Sequence, residues 1–162
     1  MFVTNHVLSG VLIGQVLRDR PATAFAAGVA SHLALDAVPH WGCDLREPGG
    51  PERFLRFARR DGILGLGAMS VAIAVVDRRT RLATIAAMAG AVVLDLDKPM
   101  DHFFGRDPFP KFVSRWHGRV QNESADGLVR DAFYGLLFAC CDAFVLASSR
   151  RQWRQHDSLW SS

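Results

Sequence analysis

Five apolar stretches, at 7–17, 22–38, 62–76, 82–96 and 132–147, carry this 162-residue chain, and no stretch of it alternates apolar with polar residues. A half-buried strand needs that alternation to keep one face inside, whereas continuous apolar runs of 11–17 residues broken by Pro, Gly and charge are what packed helices require. The predicted fold is therefore all-α: a bundle of about five main helices with short connecting helices. We expect one domain over 1–149 and a polar tail over 150–162. With apolar residues at 49% of the chain, a sizeable interior is affordable.

Local signals place the predicted elements. Thr4 is a candidate cap for a first helix ending near Leu17, and Pro21 opens the second. Residues 43–51 form a Pro/Gly-rich connection. A short amphipathic segment over 52–60 follows, with Phe54, Leu55 and Phe57 among arginines, suited to a membrane surface or to the domain itself. Asp61 would then cap the third apolar helix or, alternatively, reach a metal. The fourth helix runs out at Leu94-Asp95-Leu96-Asp97, a short helix is expected over 111–121, and a last one over 126–149.

Charge and cysteine content narrow the function classes. The net charge is +3, and the arginines gather at segment ends instead of lining one helix, which argues against a basic-patch nucleic-acid reader. Cys43, Cys140 and Cys141 provide neither a disulfide framework nor a thiolate zinc spacing and fit a reducing cytoplasm. The first 17 residues, with His6 among them, are not expected to be a cleavable signal. The apolar pair 62–76 and 82–96 resembles a membrane hairpin in its Gly and Ala content. We expect membrane association, at the bacterial cytoplasmic membrane or its cytoplasmic face; a buried hairpin in a soluble cytoplasmic bundle is the alternative.

Residues 31–42 hold the most chemistry. On a helix, His32 and Asp36 share one face a turn apart, and Pro39 ends that helix so that His40 can turn back toward them. Such a His-x3-Asp-x3-His array suits zinc or manganese, although a His and an Asp so placed can also simply bond each other. His6, His102 and His117 fall at helix ends or connections too, as do Asp61, Asp95 and Asp97; Gln121 and Glu123 lie within reach of His117. In a bundle these termini can converge on one polar pocket. His6, His32, Asp36, His40, Asp61, Asp95, His102 and His117 are the candidate metal ligands, and Asp97 or Glu123 the candidate general base.

The Thr4-Asn5-His6 start, the Ser31-His32-x3-Asp36-x2-Pro39-His40-Trp41 segment and Leu94-Asp95-Leu96-Asp97 together resemble the bacterial membrane-bound metal-dependent hydrolase family. More distantly, the His32/Asp36/His40 array is similar to the all-helical zinc-dependent phospholipase C and single-strand nuclease group. Two departures from the family pattern stand out: Leu94 replaces a Pro, and no late His-Ser pair occurs, its place falling to His117. The resemblance implies metal-assisted hydrolysis, with a metal-activated water acting on a small-molecule or lipid phosphoester. A non-catalytic helical membrane protein with a structural or ion-conducting His/Asp network is the competing expectation.

Overall fold

The computed structural model describes residues 1–43 and 46–159, with side chains described through residue 148. Among the described residues it is an all-α bundle. The helices are α1 (Val3–Val16), α2 (Pro21–Ala37), α3 (Gly50–Val75), α4 (Arg78–Val92), α5 (Asp97–Phe104), α6 (Lys111–Val120) and α7 (Leu128–Leu159). Three-residue-per-turn segments at Val93–Leu96 and Ala125–Gly127 link α4 to α5 and precede α7. The five long helices and two short ones agree with the predicted architecture.

The α1/α2 hairpin lies against α4, and small residues let it do so. A Cβ on Gly14 would fall 2.2 Å from Thr84 Cα, and one on Gly28 would fall 2.2 Å from the Ala87 carbonyl oxygen. The backbones therefore touch, as helices do where glycine removes the intervening side chain. Gly10 meets Met88 and Gly14 meets Thr84, so α4 runs opposite to α1. Gly28 meets Ala87 and His32 meets Ala91, so α4 runs with α2. As a consequence the start of α1 and the ends of α2 and α4 share one end of the bundle. Val7, Val11, Ala72 and Met88 form the main apolar core, with Ala24, Ala83 and Ala87 as a second cluster. Helices α3 and α7 both pack on α1 from outside.

Several local expectations are corrected. Helix α3 starts at Gly50, so the amphipathic segment is its first part, Arg53, Arg56, Arg59 and Arg60 line one helix instead of marking a segment end, and Asp61 lies inside it. Thr4 caps nothing through its own side chain; the start of α1 is capped across space by Asp61, which accepts from the backbone N–H groups of Val3 and Thr4 and from Thr4 Oγ1. Helix α4 stops at Val92, which leaves Asp95 on a tight turn and puts Asp97 in the first turn of α5, where a carboxylate suits the helix dipole. Helix α7 continues to Leu159, so no break separates the domain from the first ten residues of the tail; 160–162 lie outside the described residues. An element without any sequence signal also appears: His40–Trp41 and Glu123–Ser124 pair as parallel two-residue strands, His40 opposite Glu123.

A candidate metal centre at the shared end of three helices

Helix α2 brings His32 and Asp36 to the end of the bundle on one face, α1 brings His6, and the turn after α4 brings Asp95. His117 comes from α6, whose far end is tied back by backbone bonds: Asn122 N–H donates to the Asp36 carbonyl (2.8 Å) and His40 N–H to the Asn122 carbonyl (3.1 Å). His32, Asp36, Asp95 and His117 each offer one ligand atom, all within 4.8 Å of one another, and this group could hold a metal ion. His32 and Asp36 are 0% exposed, His117 2% and Asp95 10%.

Asp36 is the hub. Its Oδ2 lies 3.2 Å from Nε2 of both His32 and His117, and its Oδ1 lies 3.2 Å from His6 Nε2 and 2.7 Å from the Met1 nitrogen. Burial alone would raise the Asp36 pKa, but the His117, His32 and His6 rings gathered round it and the charge of the Met1 nitrogen hold it far below the ordinary carboxylate range. His6 stacks on His32 with ring centroids 4.1 Å apart; its Nε2 contact with Asp36 is not aligned as a hydrogen bond, and its Nδ1 has no partner among the described residues.

The ring protons can be assigned from their partners. His32 Nδ1 lies 2.7 Å from the Ala91 carbonyl, which can only accept, so Nδ1 donates and Nε2 presents a lone pair. His117 Nδ1 faces Asp97 Oδ2 at 3.4 Å in the same sense. Yet the two Nε2 atoms stand only 2.9 Å apart. Two lone pairs and a carboxylate oxygen at these distances repel unless a cation, proton or metal, lies among them. Tetrahedral zinc with bonds of about 2.0 Å sets its ligand atoms roughly 3.3 Å apart, close to the 2.9 and 3.2 Å among the His32, His117 and Asp36 atoms, with Asp95 inside the 4.8 Å of the group. For the proton, burial disfavours a charged His117, but Asp36 and Asp97 outweigh it and raise the pKa to about 9.

The remaining predicted residues take other places. Asp97 does not face the pocket as a free base: Oδ2 orients the His117 ring while Oδ1 accepts from Lys98 N–H (2.6 Å), the carboxylate–histidine arrangement that supports metal-binding imidazoles. Both oxygens of Asp61 serve the start of α1, outside the four-residue group. His102 is exposed on α5, with its ring against Phe103, so the turn of α5 carries it away from the centre. His40 is buried with Nδ1 on the Val38 carbonyl (2.9 Å) and Nε2 unpartnered, beside the group but not in it. Glu123 is exposed at the rim, its side chain over Gly42.

Two contributors escape a sequence reading. The Ala91 carbonyl fixes the His32 ring, and Asp131 receives the Trp41 N–H (3.2 Å) and so anchors the strand pair to α7. The first has no side-chain signal at all; the second shows only as a carboxylate one turn into an apolar helix.

The chain matches no protein-family model, no curated protein and no solved structure.

Proposed function

We propose that this chain is a membrane-associated, metal-dependent hydrolase of a phosphoester, with zinc or manganese held by His32, Asp36, Asp95 and His117 and with His6 beside them. The observation that carries this reading is the 2.9 Å approach of two imidazole nitrogens whose other nitrogens both donate elsewhere. A bound divalent cation supplies Lewis acidity and a water acidic enough to attack phosphorus near neutral pH. The chain's own residues do the rest. Asp97 holds the His117 ring, the Ala91 carbonyl holds that of His32, and Lys98, 3.4 Å from Asp95, balances the carboxylates. Glu123, exposed at the rim, is the candidate to take the proton of the attacking water. The motif resemblance at His6, His32, Asp36 and Asp95 supports the same reading.

One candidate span supports the membrane part. Residues Ala125–Ser148 form the one described stretch long and apolar enough to cross a bilayer, and 11% of its most apolar window is buried in the chain, far less than a core helix requires.

The second reading, a hydrogen-bonded His/Asp network without metal, draws on the raised pKa of His117, since a shared proton would also relieve the Nε2 pair. Metal content by plasma mass spectrometry on detergent-purified protein separates the two. We expect stoichiometric zinc or manganese in the wild type, lost from a His32→Ala/Asp36→Ala variant whose helical circular dichroism is retained, and hydrolysis of an activated phosphodiester only by the loaded form. A folded wild type that takes up neither metal when both are supplied would overturn the hydrolase reading.

A further inference from the structure

The outward face of α3 changes character within one turn. Arg53, Arg56, Arg59 and Arg60 are all exposed on it, and from Ile63 onward the same face shows Ile63, Leu64, Leu66, Gly67, Ser70, Val71 and Ala74, again all exposed. At 100° per residue these positions fall within less than half of the helix circumference, while the buried Asp61, Gly65 and Ala72 occupy the other side against the bundle. The single hydroxyl on the aliphatic part is satisfied internally, Ser70 Oγ donating to the Leu66 carbonyl (2.8 Å). Arg53 has one distant partner, Glu47 at 3.9 Å, and Arg56, Arg59 and Arg60 make no ion pair among the described residues, the one carboxylate on the same face being the exposed Glu52.

A cationic surface followed immediately by an aliphatic one, with no polar atom left unmet on the second, complements one surrounding in particular: anionic headgroups followed by hydrocarbon. Helix α7, the other outer helix on α1, adds exposed Val129, Phe133, Leu136, Leu137 and Phe144. A partner protein or second copy would leave four guanidinium groups to be matched by carboxylates of its own; a bilayer rich in anionic lipid matches both halves at once.

We propose that the outward face of α3 seats the chain in an anionic phospholipid bilayer, with Arg53, Arg56, Arg59 and Arg60 on the headgroups and Ile63 to Ala74 against the acyl chains. The seating also fixes the depth of the candidate centre. Asp61, next to Arg60, caps the start of α1, and His6 lies two residues beyond Thr4 on that helix, about 3 Å further along its axis. The centre thus lies within about one helical turn of the level of Arg60 and Asp61, where the cationic part of the α3 face gives way to the aliphatic part. Resting on the hydrolase reading, this depth makes the phosphoester of a membrane lipid the substrate class, in preference to a water-soluble one.

The test is lipid retention by native mass spectrometry on the full chain in neutral detergent, offered equal phosphatidylglycerol and phosphatidylcholine, with metal content measured on the same samples. We expect roughly tenfold preference for phosphatidylglycerol, weakened by high salt and abolished in an Arg53→Gln/Arg56→Gln/Arg59→Gln/Arg60→Gln variant of unchanged helicity and metal content. Glutamine keeps the helix propensity, so the charge alone is removed. Equal retention of the two lipids, a preference that survives in the variant, or a protein dimer that excludes lipid would each overturn the seating. Selective retention by a metal-free wild type would leave the seating intact and sink the hydrolase reading instead, so the two failures are distinguishable.

Discussion

Helices α1, α2 and α4 are joined in two opposite ways along their length. In their middle they are joined by missing side chains, Gly14 against Thr84 and Gly28 against Ala87, with backbone on backbone. At their shared end they are joined by side chains that reach inward to one point, His6, His32, Asp36 and Asp95. The first region depends on shape alone and is indifferent to pH or metal; the second depends on charge and on what lies between the rings. The glycine seam sets the helix register that brings the ligands together, so a break in the seam should reach the centre, while a change at the centre should leave the seam closed.

The largest expected effect comes from Gly28→Ala. Alanine is the better helix former by about 1 kcal/mol, but its methyl would meet the Ala87 carbonyl 2.2 Å away and force α2 off α4. Overpacking of this kind costs typically 1–3 kcal/mol, more where backbone blocks the way, and we expect the melting temperature and the metal content to fall together. Gly67→Ala on the outer face of α3, where nothing lies within 4 Å, should instead raise stability by about 1 kcal/mol. Matching signs for the two variants would mean that α2 and α4 do not touch as described.

Next comes the pH dependence, which separates metal from proton. In the metal-free centre burial opposes a charged His117, but Asp36 and Asp97 prevail and lift its pKa from 6.5 to about 9. A folded-state pKa above the unfolded one gives stability that is complete below about 6.5 and is lost as pH rises through about 9. Chelator-treated protein should therefore melt at progressively lower temperature over that window. Bound metal must displace the same proton, so its affinity should rise about tenfold per pH unit over the same range. A falling profile for stripped protein beside a flat one for loaded protein is the expected outcome in thermal scans, because the gain in metal affinity offsets the loss of the proton's contribution; parallel slopes would return the centre to a hydrogen-bonded network.

Asp97→Asn probes the support behind one ligand. The amide keeps the shape but weakens the hold on His117 Nδ1, and loss of such a partner typically costs 10–100-fold in metal affinity. Competition with a fluorescent chelator would measure it. An unchanged affinity would show that α6 alone orients the ring.

The sequence announces these two regions unequally. The helices are legible because apolar runs without alternation leave no other element, and His32 with Asp36 is legible because a four-residue interval on a helix is a statement about space. His117 could only be suspected: its arrival depends on a two-residue strand pair and on the Asn122–Asp36 backbone bond, neither of which has a side-chain signature. Asp61 misleads because a change of surroundings along one continuous helix, cationic then aliphatic, imitates a helix start. His102 misleads in another way, since nearness in sequence to Asp97 says nothing about which side of α5 it occupies.

The smallest effect concerns a carboxylate outside both regions. Asp142 lies on α7, 6% exposed, with neither oxygen partnered among the described residues, three turns beyond Asp131 and hence on the same face. Asp131 differs in receiving the Trp41 N–H. A buried polar group without a partner costs about 1–3 kcal/mol, more if charged, and Asp142→Leu removes it on the same branched side-chain skeleton. If Asp142 belongs to the shape-determined part of the bundle, the variant should be about 1 kcal/mol more stable, with metal content unchanged. If stability or metal content drops instead, Asp142 has a ligand of its own on the inner face of an apolar outer helix, where ionisable groups are otherwise retained for proton or ion traffic. The polar end would then extend down α7, and the division between the two regions would have to be redrawn along that helix.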